Sequence, residues 1–337
     1  MLQIEAALPS GKRKALSLPW SSTVADLLQL AQRAFQLDGL RLAVPDGHLL
    51  RPRDSLETTG IQQGDCVAAV VVKPQLAANG HSFALFWEGC RLVTWGHPDY
   101  GGDSTSVQNQ LQNVQSVQST ERAFAAILQD GTVVTWGDQT AGGDSSAVRD
   151  ELKNVRQVQA TECAFAAILD DGKVVAWGHP SCGGDSRAVQ ECLRNVRQIQ
   201  ATDAAFAAML ADGQVVSWGS LLLSRGLEDQ LQNVNVQQLQ AAELGSFAAI
   251  GTTGRAVDWG HHTLYVGNPV FDQLENVREI QATSNAFAAI LADGTVSTSG
   301  FSRFGGDSTA VQHELRNVQQ LQATHSAFAL PRLCQML

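Results

Sequence analysis

Four copies of the segment Gly-Gly-Asp-Ser are the part of this sequence whose residue types and spacing could support chemistry. Their acidic members are Asp103, Asp144, Asp185 and Asp307. A circle of carboxylates at these positions could bind Ca²⁺, which prefers oxygen ligands, or a basic partner. Alternatively, the glycines supply positive φ angles, and the aspartates and serines cap the turn that follows. The spacing favours the structural interpretation, because calcium-binding glycine–aspartate arrays repeat about every nine residues.

No other motif in the chain predicts catalysis or a metal site. His261 and His262 are adjacent, so their side chains diverge on a strand, and no cysteine or carboxylate cluster accompanies them. The nucleophile-elbow, P-loop and HExxH motifs are absent from the sequence. We therefore predict a non-catalytic protein that uses no cofactor and no metal.

The four segments belong to a longer repeat. The pattern Ala-Phe-Ala-Ala-Ile-Leu-x-Asp-Gly-x-Val-Val-x-Trp-Gly returns every 41 residues, with a single step of 40. Its central aromatic residues are Phe83, Phe124, Phe165, Phe206, Phe247, Phe287 and Phe328. The matching tryptophans are Trp95, Trp136, Trp177, Trp218 and Trp259, with Ser299 in the sixth place. A fixed period of this size predicts a solenoid, an array or a propeller, in which each unit packs against its neighbours.

One repeat contains three short strands. Residues 155–161 alternate in polarity, residues 164–169 are continuously apolar, and residues 174–177 follow the tight-turn pair Asp171-Gly172. Residues 188–193 could form a short helix in the connection to the next repeat. Three strands and such a connection are typical of one β-propeller blade, with the tryptophan in the core between blades.

The Asp-Gly-x-Val-Val-x-Trp-Gly pattern, with its glycine-rich turn and Gln-Ala-Thr strand, resembles the regulator-of-chromosome-condensation repeat family. This family includes the propellers of HERC-type ubiquitin ligases. The resemblance covers about residues 76–330 and implies an all-β propeller, predicted for residues 76–334, of six full 41-residue repeats plus a partial seventh. In the seventh, Pro331 replaces the expected Asp-Gly turn. The founding propeller of the family is an exchange factor for a small GTPase, but no repeat here is long enough to hold the protruding wedge that such activity needs.

Residues 1–72 show no trace of the repeat. A strand, a Pro-Ser-Gly turn and a second strand precede Thr23 and Asp26, which have the spacing of a capping box at the start of an amphipathic helix. Gly39 is predicted to end this helix, and strands follow at residues 40–44 and 66–72. These residues resemble the ubiquitin-like β-grasp, an α+β fold, and residues 73–75 form a linker. Ala43 stands where that family's recognition surface has isoleucine, and Val72-Lys73-Pro74 replaces the terminal Gly-Gly, so conjugation is not expected.

Composition limits the classes of partner. The first 72 residues hold seven basic and seven acidic residues, which leaves 16 basic and 26 acidic residues of the 23 and 33 in the chain. This excess of acid argues against nucleic-acid binding, which needs a basic surface. The six cysteines form no CxxC pair, which is typical of reduced cytoplasmic or nuclear thiols. No apolar run is long enough for a membrane span, and a HECT ligase domain does not fit in 337 residues.

The fourth and fifth repeats lose Gly-Gly-Asp-Ser and carry apolar connectors instead. The candidate anchors for a protein partner there are Leu221, Leu222, Leu223, Leu264 and Tyr265. An exposed apolar patch of this kind indicates a partner site, although drift in a decaying repeat would look similar. We predict a monomeric protein-interaction adaptor that is linked to the ubiquitin pathway through its ubiquitin-like domain and HERC-like propeller. The alternatives are a substrate-recognition component of a ubiquitin ligase with catalysis in trans, and a guanine-nucleotide exchange factor.

Overall fold

A computed structural model describes residues 1–37, 39–44, 46–51, 54–87, 92–220, 231, 234–260 and 274–329. The chain forms two compact units, the first comprising Met1–Ser119 and Phe124–Gly137, the second Thr120–Ala123 and Asp138–Leu337. Each unit is mostly β-structure. No helix in the described part of the chain is both long enough and apolar enough to cross a membrane.

The first unit begins with a four-stranded sheet and a helix. Its elements are β1 (Leu2–Ala7), β2 (Arg13–Leu18), α1 (Val24–Phe35), β3 (Leu40–Ala43) and β4 (Cys66–Val71), with a 3-10 turn at Leu56–Thr58. The sheet order is β2-β1-β4-β3, in which β1 and β4 are parallel and the two outer pairs are antiparallel. The apolar side of α1 packs on this sheet in one buried cluster that includes Leu27, Ala31 and Ile4.

The predicted capping box of α1 is confirmed. The Thr23 side chain accepts a hydrogen bond from the backbone of Asp26, and the Asp26 carboxylate accepts one from the backbone of Thr23. The predicted end of the helix at Gly39 is wrong. Gln36 ends the helix in the left-handed conformation, with φ 56°, and its N–H donates to the carbonyls of the last turn.

The repeats form separate antiparallel sheets. The described part of the first unit holds β5 (Gln75–Ala78), β6 (Ser82–Phe86), β7 (Val93–Gly96), β8 (Val114–Ser119), β9 (Ala123–Leu128) and β10 (Val133–Gly137). The second unit continues with β11 (Val155–Ala160), β12 (Ala164–Leu169), β13 (Val174–Gly178), β14 (Val196–Ala201), β15 (Ala205–Leu210), β16 (Val215–Gly219), β17 (Val236–Ala242), β18 (Ser246–Gly251), β19 (Ala256–Gly260), β20 (Val277–Ala282), β21 (Ala286–Leu291), β22 (Val296–Gly300), β23 (Gln322–Ala323) and β24 (Phe328–Ala329). Within the described residues these strands make six three-stranded sheets and one two-stranded sheet, consistent with a β-propeller.

The middle strand of each sheet explains the alanine-rich pattern. Along β12, Ala164, Ala166 and Ile168 are fully buried, because further layers of protein cover the sheet. The turn into β13 is made by Gly172, with φ 78°, where a Cβ atom would lie 2.8 Å from the backbone of Asn195. Only glycine fits both the conformation and the space.

The predicted role of the tryptophans as core residues is confirmed for the later sheets. Trp218 lies opposite Phe206 in its own sheet and shares a buried cluster with Ala164 and Ile168 of the preceding one. The predicted helix at residues 188–193 is shorter than expected, since only Gln190–Cys192 form a 3-10 turn. Other 3-10 turns in the connections are Pro98–Tyr100, Gln139–Ala141, Ser146–Val148, Pro180–Cys182, Ser302–Phe304 and Thr309–Glu314.

Candidate functional site

The aspartates of the Gly-Gly-Asp-Ser segments are hydrogen-bonded within their own connectors. Asp103, Asp144, Asp185 and Asp307 each accept a hydrogen bond from the backbone N–H two residues later, at 2.8–3.0 Å. Such turns favour the ionised acid and lower its pKa. For Asp185, hydrogen bonds from the Arg187 side chain and backbone lower the pKa to about 2. These carboxylates therefore stabilise the turns of their own connectors.

The predicted apolar anchors lie elsewhere in the chain. Leu221, Leu222, Leu223, Leu264 and Tyr265 fall outside the described residues. Their role in partner binding stays a prediction.

A second set of acidic residues lies at the turn between the first and second strands of successive sheets. We call Glu121, Glu162, Asp203 and Glu243 the acidic row. The backbone N–H of Glu121 donates to the carbonyl of Glu162 at 2.9 Å, and that of Glu162 to the carbonyl of Asp203 at 2.9 Å. The N–H of Asp203 then donates to the carbonyl of Glu243 at 2.7 Å. These bonds hold four acidic residues of the second unit next to one another in a line.

Buried threonines fix the turns that carry the row. The hydroxyl of Thr161 accepts a hydrogen bond from the backbone N–H of Ala164 at 3.0 Å and contacts the carbonyl of Cys182 as a donor at 3.0 Å. Thr120 makes the equivalent pair of bonds, to Ala123 and Ala141. The threonine thus ties the turn to the connector of its own repeat, so the acidic residue that follows it has a defined backbone position.

Charge repulsion along the row is visible in its second member. Partial burial raises the pKa of Glu162, and the negative charges of Asp203, Glu121 and Glu243 raise it further. The guanidinium of Arg122 lies 4.0 Å from the Glu121 carboxylate, and the imidazole of His325 lies 3.2 Å from that of Glu243. A cationic group from outside would relieve this repulsion.

The line of turns continues beyond Glu243 with Ser284 and His325. The N–H of Leu244 donates to the carbonyl of Ser284 at 2.8 Å, and that of Ser284 to the carbonyl of His325 at 3.0 Å. The Ser284 hydroxyl lies 2.7 Å from both the Glu243 carboxylate and His325 Nδ1. Ser284 is 2 % exposed, and its hydroxyl donates its proton to the Glu243 carboxylate. The Ser284 hydroxyl therefore holds this carboxylate in position and is not arranged as a nucleophile.

A pair of thiols lies beside the row. Burial raises the pKa of Cys163 to about 11, and the neighbouring Cys182 contributes to the increase. The thiol of Cys163 is therefore protonated at neutral pH and adds no charge and little nucleophilic character. Among the described residues, no group of three His, Cys, Asp or Glu side chains could hold a metal ion. The arrangement is suited to attracting a positively charged surface.

Sequence reasoning missed the acidic row, although a signal was present. The residues that follow Ser-Thr, Ala-Thr, Ala-Thr and Ala-Ala at the ends of β8, β11, β14 and β17 are all acidic. The more conspicuous Gly-Gly-Asp-Ser segments drew the prediction to a different set of aspartates. Only the hydrogen bonds between successive turns show that the acids of the row are adjacent.

No family model and no curated protein matches the chain. Among solved structures, it is similar to Prp20p of Saccharomyces cerevisiae at 16% identity, over 78% of this chain and 77% of that one, with a TM-score of 0.44. It is similar to human WBSCR16 at 13% identity, over 86% of this chain and 87% of that one, with a TM-score of 0.46. The ectodomain of the Physcomitrella patens receptor kinase CR4 has 17% identity, over 55% of this chain and 49% of that one, with a TM-score of 0.35.

Proposed function

We propose that this chain is a non-catalytic protein-interaction adaptor whose acidic row binds a basic segment of a partner protein. The observation that carries the proposal is the alignment of four acidic residues by backbone hydrogen bonds, with the pKa of Glu162 raised by partial burial and further by its acidic neighbours. Like charges held together by the fold destabilise the free protein. A ligand with Lys or Arg side chains removes that repulsion and gains attraction from several carboxylates at once.

The expected interaction is moderate in strength and sensitive to salt. Glu121, Glu162 and Glu243 are exposed and Asp203 is half-buried, so each ion pair with a partner forms at a surface. Exposed ion pairs contribute roughly 0.2–1 kcal/mol each. Four such pairs amount to about 2 kcal/mol, which is roughly a thirtyfold change in the dissociation constant. Steering by the acidic field also accelerates association at low salt.

The test removes the charge of the row without removing its shape. A variant carrying Glu121→Gln, Glu162→Gln, Asp203→Asn and Glu243→Gln is compared with wild type for binding a fluorescent Lys- and Arg-rich peptide by anisotropy. The matched control carries Asp103→Asn, Asp144→Asn, Asp185→Asn and Asp307→Asn, which removes the same number of charges from the connectors. We expect a loss of roughly thirtyfold for the row variant and a much smaller loss for the control. Equal losses would show that only net charge matters, and a larger loss in the control would locate the site at the Gly-Gly-Asp-Ser aspartates.

A role in the ubiquitin pathway is the second part of the proposal and depends on the sheet of residues 1–72. Its order β2-β1-β4-β3, with a parallel central pair and one helix packed on it, supports assignment as a ubiquitin-like β-grasp. We propose that this part docks on a ubiquitin-pathway protein while the acidic row holds a second partner. The same architecture would serve a substrate-recognition component of a ubiquitin ligase with catalysis in trans.

Ala43 limits the form that this docking can take. It is 6 % exposed and pairs with Ala68 in the sheet, so it offers almost no apolar surface to a ubiquitin-binding domain.

Capture of partners by affinity purification, with the row variant alongside wild type, distinguishes partners of the row from partners of residues 1–72. A purified small GTPase whose nucleotide release is accelerated by the chain would instead support the exchange-factor alternative.

A further inference from the structure

Two cysteines of the third repeat lie in turns that hydrogen bonds hold together. Cys163 belongs to the turn between β11 and β12, and Cys182 ends the 3-10 turn that follows β13. The backbone N–H of His179 donates to the carbonyl of Cys163 at 2.9 Å, and the hydroxyl of Thr161 donates to the carbonyl of Cys182 at 3.0 Å. Each cysteine is therefore bonded through its carbonyl to the segment that carries the other.

The two thiols are close enough to influence one another. Burial raises the pKa of Cys163, and the charge and hydrogen bonding of Cys182 raise it further. Such effects act between groups a few ångströms apart. Both cysteines are partly buried and neither is in a disulfide, and Cys182 Sγ also lies 3.9 Å from the hydroxyl of Ser181. The fold thus places two free thiols side by side.

The same backbone arrangement recurs in other repeats without the thiols. In the second repeat, the backbone N–H of Asp138 donates to the carbonyl of Arg122 at 3.0 Å. In the sixth, the N–H of Phe301 donates to the carbonyl of Asn285 at 3.1 Å. The residues at the places of Cys163 and Cys182 there are Arg122 with Ala141 and Asn285 with Phe304. These turns therefore form without cysteine, which leaves the pair of thiols in the third repeat available for chemistry.

We propose that Cys163 and Cys182 form a reversible intramolecular disulfide when the protein meets hydrogen peroxide, which makes the pair a site of oxidative modification. In the first step the thiolate of Cys182 attacks one oxygen of the peroxide, and the O–O bond breaks. The departing oxygen takes up a proton and leaves as water, and Cys182 becomes a sulfenic acid. In the second step the sulfur of Cys163 attacks the sulfur of Cys182, and the S–O bond breaks. The hydroxide takes the proton of Cys163 and leaves as a second water, so the two thiols are oxidised and the peroxide is reduced.

The surroundings of the two thiols decide which of them reacts first. The pKa of Cys163 is raised to about 11, mainly by burial, so this thiol is protonated at neutral pH and is a poor first nucleophile. Its proton is useful in the second step, where it is transferred to the departing hydroxide. That step is intramolecular, and the hydrogen bonds between the two turns keep the sulfur atoms near one another while it occurs. Cys182 is therefore the thiol that meets the peroxide, and Cys163 is the thiol that closes the disulfide.

The disulfide would add a covalent link between two segments that the article has already described. One is the turn that carries Glu162 of the acidic row, and the other is the connector that continues into Gly183 and Asp185. A cross-link of this kind stabilises a fold chiefly by restricting the unfolded chain. The proposal does not require the acidic row to bind a partner, so its test is separate from that of the proposed function.

The experiment uses the full chain, reduced and then freed of reductant. The protein is titrated with hydrogen peroxide, the remaining thiols are blocked with iodoacetamide, and the digest is mapped by mass spectrometry without reduction. We expect the first disulfide to join the peptides of Cys163 and Cys182, and dithiothreitol to separate them again. The proposal is overturned if both thiols are still alkylated when the exposed Cys192 is already oxidised, or if the first disulfide joins either of them to any other cysteine.

The variants copy residues that other repeats carry at the same places. Cys182→Ala follows Ala141, Cys163→Ala follows Ala204, and Cys192→Ala is the matched control that removes an exposed thiol. With peroxide and dimedone, Cys163→Ala should accumulate the trapped sulfenic acid at Cys182, whereas Cys182→Ala should keep Cys163 as a thiol. Peroxide should raise the melting temperature of wild type and Cys192→Ala and leave that of the other two variants unchanged. A trapped sulfenic acid at Cys163 in Cys182→Ala, or the same shift in melting temperature in all four proteins, contradicts the proposal.

Discussion

The replacement of Trp177 by alanine tests whether the aromatic pairs hold successive sheets together. Trp177 is 4 % exposed, stacks on Phe165 with ring centroids 5.2 Å apart, and donates to the carbonyl of Gly142 at 3.1 Å. Deleting a buried large aromatic costs about 3–5 kcal/mol. About 1 kcal/mol of this cost comes from the lost hydrogen bond, because the Gly142 carbonyl is then left without its donor beside a cavity.

The same substitution at Trp95 provides an internal control. Trp95 occupies the equivalent place in its sheet and stacks on Phe83 in the same way, but it is 45 % exposed. Since only about half of its surface is removed from water, Trp95→Ala should cost about 1.5–2.5 kcal/mol. The prediction is therefore a difference of at least about 1 kcal/mol between two chemically identical substitutions.

The assay must resolve the two units, because a chain of two compact units need not unfold in one step. Native-state hydrogen exchange read by mass spectrometry reports the opening free energy of β12 and β13 separately from that of β6 and β7. Trp177→Ala should lower protection in the first pair of strands, and Trp95→Ala should lower it less in the second. If Trp177→Ala does not fold, Trp177→Phe retains most of the buried area and should still lower protection through the lost hydrogen bond. A loss below about 1 kcal/mol at Trp177, or an equal loss at both sites, refutes the account of the core.

Three further predictions concern other parts of the chain. Gly142→Ala should destabilise the second unit more than Gly11→Ala destabilises the first. Both glycines have positive φ, but only at Gly142 would the new Cβ atom contact an aromatic ring. Urea unfolding of the two variants measures the difference in the free energy of unfolding. Glu162→Gln should stabilise the protein at neutral pH. The pKa of Glu162 is raised in the folded protein, so the folded state binds the proton more tightly and the ionised acid destabilises it. The stability gained by the substitution should disappear as the pH falls below 4.5, the pKa of the acid in the unfolded chain. A thermal-unfolding series in which Glu162→Gln gives the same gain at every pH would contradict a raised pKa of Glu162 in the folded protein. Residues 1–73 should form no thioester with a ubiquitin-activating enzyme, because Val72-Lys73-Pro74 lacks a terminal Gly-Gly, and a non-reducing gel with a covalent adduct contradicts this.

Local signals predicted the individual strands well. The sequence indicated a strand at residues 164–169 and a turn at Asp171-Gly172, and the structure has β12 at Ala164–Leu169 with Gly172 at positive φ. Apolar runs and glycine turns are properties of a few adjacent residues, so they can be recognised without the rest of the fold. The end of α1 was misplaced because Gln36 adopts the left-handed conformation three residues before the glycine that seemed the natural stop. The separate sheets of the repeats are consistent with the predicted β-propeller. The ubiquitin-like assignment of residues 1–72, the count of the repeats and the residues of the partner site stay predictions.

Contacts between repeats were harder to predict, since each depends on what the neighbouring repeat provides. Trp95 and Trp136 follow the same sequence pattern, yet Trp95 is half-exposed, whereas Trp136 is buried and donates to the carbonyl of Gly101. The acidic row shows the same dependence: partial burial raises the pKa of Glu162, and acids of neighbouring repeats, Asp203 and Glu121, raise it further. The repeated sequence therefore predicts the strands of each sheet, whereas the burial and the pKa of a side chain also depend on residues of the neighbouring repeats.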